Sequence, residues 1–227
     1  MNPDKIIFTD IDGVILDWSS NLPFYLNNMG MKTDHIVDLL ANGNTGEAHW
    51  SPKSLFPESE SDDSALQLLI GYCQSPYMAT LSSWMDSLKV VNQLVTEGYK
   101  FVGITALTND ELSVARRKKN IDALFPNAFL EVVHVGVGQS KEDAFIELFG
   151  KYGVPLCYVD DRLVHLNEYS RAVEKFGKTD YTTWEFNLVE HTLEIQPISD
   201  KKNMFTSNSW FDIKNKIDAI QSLVSYE

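Results

Sequence analysis

Four short stretches carry residues suited to one task, the handling of a phosphoryl group. Asp10 and Asp12 flank Ile11 and are followed by Gly13; Thr105, Lys141 and the adjacent pair Asp160-Asp161 come later in the chain. Each follows a largely apolar run about the length of a strand: Ile6 to Phe8, Tyr99 to Ile104, Leu130 to Val135, followed by Gly136 and then Lys141, and Leu156 to Val159. Runs of this kind suit strands covered on both faces, as in a parallel sheet between layers of helices. In such sheets the carboxyl ends of the strands open on the ligand crevice, so the two carboxylates, a hydroxyl, an ammonium and a second acidic pair would gather at one rim. An isolated Asp-x-Asp-Gly equally describes a turn. The information lies in the set of four.

The elements that must position these residues are legible to different degrees. Ser83 to Glu97 reads as a helix, with Trp84, Leu88, Val91 and Val95 on one face and Gly98 as its stop. It feeds the strand ending at Thr105, which predicts a βαβ unit. Thr108 with Glu111 forms a capping box for a following helix, in which Arg116-Arg117-Lys118-Lys119 reads as a solvated face. Gly136 to Lys141 lacks the glycine spacing of a phosphate loop or a dinucleotide fingerprint. Lys141 instead opens a helix carrying Ala144, Phe145, Leu148 and Phe149 inward, with Ser140 as its N-cap. A further helix is predicted through about Phe176, then a final strand from Tyr181 to Leu188. The last helix runs from Trp210 to Val224 through Ile213, Ile217 and Ile220, capped by Ser209. Between Trp18 and Thr80 the pattern changes, with short helices expected over Asn21 to Met31, Asp34 to Leu40 and Ala65 to Cys73. The acidic serine run from Glu58 to Ser64 reads as a solvated loop or helix start.

Composition narrows the function classes. The chain has 227 residues, 44% hydrophobic and 22% charged, which suits one globular α/β core with an insertion. A formal net charge of -13 excludes non-specific nucleic-acid binding, which needs a basic footprint. It also means that a phosphate substrate needs a cation in the site to offset repulsion. Cys73 and Cys157 have no C-x-x-C spacing, and no histidine pair has zinc-ligand spacing, so both cysteines read as packing residues. No apolar stretch approaches the ~20 residues of a membrane span, and the expected compartment is the cytoplasm.

The ordered series Asp-x-Asp, Thr, Lys, Asp-Asp, from Lys5 to about Ala172, resembles the haloacid dehalogenase (HAD) superfamily of phosphohydrolases. The resemblance implies an α/β fold, a Rossmann-like parallel sheet sandwiched by helices, with a small helical cap inserted after the first strand. The core would comprise residues 1–17 and 81–227, and the cap residues 18–80. Asp10 would attack phosphorus and form an aspartyl-phosphate, splitting one hard displacement into two. Asp12 would protonate the leaving oxygen and then deprotonate the hydrolytic water. Thr105 and Lys141 would hold and neutralise the phosphoryl oxygens. Mg²⁺ would sit between Asp10, the main-chain carbonyl of Asp12 and Asp161, with Asp160 direct or through water; the resemblance ranks Asp161 above Asp160.

Within that superfamily the 5'(3')-deoxyribonucleotidases are similar at Asp10 to Trp18, at Tyr72 to Leu81 with Pro76-Tyr77, at Val159 to Arg162 and at Asn208 to Ile213. The substrate implied is a small phosphorylated metabolite, with a nucleoside monophosphate ahead of sugar and other organic phosphates. Trp18, Phe24, Trp50 and Tyr77 are candidates to stack on a base, or else form the core of the cap. The chain departs from those enzymes where Ala106-Leu107 follows Thr105 in place of Ser-Pro. A non-hydrolytic phosphate-binding or signalling role, as in receiver domains, is the alternative of a different class; there the acidic pair precedes the phosphorylated aspartate in the chain, the reverse of the order here.

Overall fold

Ile6–Thr9 (β1) is buried along its whole length, and the rest of the chain is arranged around it. The structure, a computed structural model, describes residues 2–36, 52–106, 110–136, 138–177, 183–189 and 201–224. β1 pairs in parallel with Lys100–Ala106 (β2) on one side and Cys157–Asp160 (β4) on the other. Phe129–Val135 (β3), Trp184–Leu188 (β5) and Met204–Ser207 (β6) complete a six-stranded parallel sheet in the order β3-β2-β1-β4-β5-β6. Strand order reverses between β1 and β4, the position at which open α/β sheets leave a crevice for ligands. Asp10 and Asp160-Asp161 stand at the carboxyl ends of those two strands.

Alternation along the strands sends side chains into two cores. Ile6, Phe8, Val102, Ile104 and Tyr158 pack against Phe145, Leu148 and Phe149 of Glu142–Tyr152 (α6) and Leu166, Tyr169 and Val173 of Leu163–Lys175 (α7). Ile7, Phe101, Cys157, Val159 and Phe186 face the other way. They meet Val90, Val91 and Leu94 of Met85–Thr96 (α4), Ile121 of Glu111–Leu124 (α5), and Trp210, Ile213 and Ile217 of Trp210–Val224 (α8). The residues between β1 and α4 contribute Leu22–Asn28 (α1), Pro52–Leu55 (α2) and Asp62–Cys73 (α3). Their Leu22, Tyr25, Leu26, Leu55, Leu69 and Tyr72 are continuous with this second core.

Several expectations shift. The strand expected to end the sheet, at 181–188, is followed by β6 at the edge, where Phe205 and Thr206 are not buried and so leave no continuous apolar run to read. Ser61 caps α3 through a reciprocal pair with Ser64, so the acidic serine run starts a helix. Asp110 caps α5 by accepting from the Ser113 amide at 2.9 Å, while the Thr108 expected in that role lies outside the described residues, as do Trp50 and most of the helix expected over 34–40. The N-cap position of α6 is Lys141 itself, and Ser140 Oγ accepts from the Glu142 amide at 3.1 Å.

Candidate active site

β1 ends in Asp10, whose amide donates to the Val159 carbonyl of β4 at 2.8 Å and so ties it to the neighbouring strand. Its carboxylate accepts from the Ile11 amide at 2.7 Å and forms an ion pair with Lys141 Nζ at 3.0 Å. Lys141 is fully buried, and its ammonium also lies 2.9 Å from Asp160 Oδ2 and 3.3 Å from the Tyr158 hydroxyl. The Lys141 main chain is fixed by Glu168, which accepts its amide at 3.1 Å and pairs with His165 Nδ1 at 3.0 Å. Asp160 is held by three donors: besides Lys141 it accepts from the Tyr158 hydroxyl and, at 2.8 Å, from the Arg162 amide. Asp161 is buried beside it, yet its Oδ1 has no hydrogen-bond partner among the described residues.

The charge balance of this cluster is unfavourable as it stands. Asp10, Asp160 and Asp161 can each place an oxygen within 4.8 Å of the others, and the Lys141 ammonium pairs with the first two. Burial pushes the Asp10 carboxyl up to about 6 although Lys141 opposes it, and burial with the charges of Asp160 and Asp10 pushes Asp161 well above the usual carboxylate range. Burial opposes the charge on Lys141 as well, but Asp10 and Asp160 outweigh it and hold the ammonium above its ordinary value. For Asp160 the same burial is overcome by Lys141, His165 and the Tyr158 hydroxyl, which leave it below its ordinary value. Crowded oxygens, an Asp161 Oδ1 with no partner among the described residues, and carboxyls raised by burial and then by one another's charge fit a hard divalent cation. Gly13 makes the close approach feasible. A Cβ there would lie 2.7 Å from Asp161 Oδ2, and its φ of +81° is in the left-handed region.

Asp12 lies on the β2 side of Asp10. Its Oδ2 accepts from the Thr105 hydroxyl at 3.0 Å, and its Oδ1 is 2.7 Å from Arg117 Nη2. Thr105 is thus brought to the site, turned toward Asp12. Arg117 is a correction to the sequence reading: it belongs to no solvated face but is 0% exposed, with Ser113, Asn120 and Ile121 on the inward side of α5. The inward face of that helix is largely polar, so hydrophobic periodicity hides it. The signal available was the spacing, since Arg117 stands four residues before Ile121 and four after Ser113. His165, Glu168 and Tyr158, which brace Lys141 and Asp160, also gave no signal in the sequence.

The aromatic candidates divide. Trp18 and Tyr77 are partly buried and pack into a cluster with Tyr25 and Tyr72, at ring separations of 6.2 Å for Trp18 to Tyr72 and 6.2 Å for Tyr25 to Tyr77. The Tyr72 hydroxyl donates to the Trp18 carbonyl. Both rings therefore pack against the second core while remaining partly exposed. Phe24 is 62% exposed.

Comparison with known proteins places this geometry in context. No family model matches the chain. Among solved structures, a candidate phosphatase from Clostridium difficile superposes with a TM-score of 0.60 at 15% identity, covering 96% of this chain and 100% of its own. A haloacid dehalogenase-like hydrolase from Streptococcus pneumoniae gives 0.57 at 13% identity, over 95% and 99% of the two chains. A dehalogenase solved with an intermediate complex gives 0.58 at 12% identity, over 95% and 98%. These likenesses establish the HAD-like fold. In sequence, the chain is 33% identical over 224 residues to the uncharacterised 32.4 kDa protein of the Gp30–rIII intergenic region of Enterobacteria phage T4, covering 93% of this chain and 76% of that one. With that identity over nearly its full length, the chain belongs to the family of the phage T4 protein and carries the HAD-like fold.

Proposed function

We propose that this protein is a Mg²⁺-dependent phosphomonoesterase that works through an aspartyl-phosphate on Asp10. The observation that carries the reading is the position of Asp10: at the switch point of the sheet, 3.0 Å from a buried ammonium and within one cluster with Asp160 and Asp161. Asp10 Oδ attacks phosphorus while the bond to the leaving oxygen breaks, and the electron pair departs on that oxygen, which takes a proton from Asp12. Water then attacks the same phosphorus and gives a proton to Asp12, and the bond to Asp10 breaks with its electrons returning to the carboxylate. Lys141 keeps the nucleophile anionic and faces the phosphoryl oxygens, where negative charge accumulates. Asp10, Asp161 and the Asp12 carbonyl would hold the cation, with Asp160 behind them anchoring Lys141. A cation bound there supplies neutralisation between carboxylates and phosphoryl oxygens.

The leading substrate is a nucleoside monophosphate, supported by the segments similar to 5'(3')-deoxyribonucleotidases at Asp10 to Trp18 and Val159 to Arg162. The test is a panel of nucleotide, sugar and simple organic phosphates, each with and without Mg²⁺. Release of phosphate that needs the metal and is lost in Asp10→Asn supports the reading. Turnover confined to sugar phosphates would remove the nucleotide assignment and keep the chemistry. A stable phosphoprotein without turnover would replace the hydrolase by a signalling role.

A further inference from the structure

We propose that Arg117 is the positioning residue of Asp12: it holds the carboxylate toward the leaving group and meets the charge that Asp12 acquires when its proton is transferred. This rests on the phosphatase reading above. Three observations lead to it. Arg117 is fully buried, and its one ion-pair partner among the described residues is Asp12 Oδ1 at 2.7 Å. Among the described residues its Nε, Nη1 and Nη2 make no hydrogen bond, so the close approach to Asp12 is an attraction of charges rather than an aligned bond. A buried guanidinium in that condition is a poor stabilising device, because removing its charge from water is costly and its donors are unmet. A charge held so unfavourably is accounted for by its action on Asp12, the neighbour it faces.

The helix around Arg117 is itself held in place. Asn120 exchanges two 3.1 Å hydrogen bonds with the main chain of Leu81, and Arg116 donates to the Gln74 carbonyl, so α5 is pinned where the inserted segment returns to the core. Arg117 also lies close enough to Tyr72 and Cys73, at the end of α3, for its charge to bear on both. The guanidinium therefore sits between Asp12, in the loop after β1, and the end of α3. Asp12 is gripped from two sides, by Arg117 on one oxygen and the Thr105 hydroxyl on the other. When a phosphoryl oxygen takes the Thr105 hydroxyl, Arg117 keeps the remaining hold, and Asp12 stays directed while its proton moves.

A positioning role for the acid differs from a structural role in its dependence on the leaving group. Phenyl phosphate releases a phenolate whose conjugate acid has a pKa of about 10, near that of tyrosine, and needs a proton on departure. The p-nitro derivative has almost the same shape and leaves readily without one. The quantity to compare is kcat/KM, which reports phosphoryl transfer to Asp10, the step in which the leaving group departs. With Mg²⁺ present, Arg117→Met is expected to lower kcat/KM for phenyl phosphate about 100-fold, within the usual range for acid catalysis, and for p-nitrophenyl phosphate by less than about 10-fold. Asp12→Asn is expected to show the same asymmetry, and the double variant to be no worse than Asp12→Asn alone. Arg117→Lys keeps the buried charge without the fork and protects against misfolding as an explanation; it should lie between wild type and Arg117→Met on phenyl phosphate. Equal losses on both esters, or no loss on either, in both Arg117 variants would overturn the inference and leave the phosphatase reading standing. A wild-type protein inert toward both esters and toward the wider phosphate panel would overturn that reading and this inference together.

Discussion

Asp10 pays for its position in stability. Its carboxyl is raised to about 6 chiefly by burial, so at neutral pH the anion is held at a cost that the 3.0 Å contact with Lys141 only partly offsets. The substitution Asp10→Asn removes one of three crowded negative charges while preserving shape. The expected outcome is a metal-free protein that melts at a higher temperature than wild type at pH 7, by an amount corresponding to roughly 1–2 kcal/mol, and that has lost phosphate release. Differential scanning calorimetry with an activity assay on the same preparation checks both halves. A lower melting temperature would mean that the Lys141 contact outweighs repulsion from Asp160 and Asp161. The reverse is expected at Lys141: with Asp10 and Asp160 deprived of their ion pair, Lys141→Met should destabilise by about 3–5 kcal/mol, as for a broken buried pair, read as a fall in the urea midpoint.

At the scale of elements, the site depends on how closely the loop after β1 approaches the end of β4. Gly13→Ala places a methyl 2.7 Å from Asp161 Oδ2 at a φ of +81°, so both backbone strain and displacement of Asp161 follow. A loss of about 1–2 kcal/mol from the left-handed conformation is expected, together with weaker Mg²⁺ binding in a calorimetric titration. A variant that binds the metal as wild type does would show that Asp161 can move without consequence. The strands carrying Asp10, Thr105 and Asp160 were legible in the sequence because burial on both faces leaves uninterrupted apolar runs. Lys141 was legible because Phe145, Leu148 and Phe149 set the phase of its helix. The inward face of α5 was not, because Ser113, Arg117 and Asn120 are polar groups buried for specific partners, and their pattern in the chain is that of a wet surface. The same limit hid β6, whose four residues are half solvated at the sheet edge. Asn120→Ala tests how much that polar face contributes: it frees the Leu81 amide and carbonyl, and a loss of about 2 kcal/mol is expected in urea unfolding.

For the whole molecule, the acidic character of the chain and the unbalanced cluster at its centre predict how stability depends on pH and metal. Asp10 and Asp161 have folded-state pKa values above those of the unfolded chain, so the folded state binds their protons more tightly. Their contribution to stability is whole below the unfolded value near 4, and is lost as pH rises through the folded values. For Asp10 the window runs from 3.8 to about 6, and the loss is on the order of 3 kcal/mol. Asp160 is shifted the other way, so its contribution is present above pH 4 and disappears only in more acid solution. Between pH 4.5 and 7 the metal-free protein should therefore become less stable, against the trend for proteins whose carboxylates are all well paired. A bound divalent cation reverses the balance, because it favours the ionised carboxylates and binds the folded chain alone. Melting curves at pH 4.5 and pH 7, each with and without Mg²⁺, should show a large metal-induced rise at pH 7 and little at pH 4.5, where protons compete for the same oxygens. A rise of equal size at both pH values would place the cation away from Asp10 and Asp161, among the dispersed acidic groups that give the chain its net charge of -13.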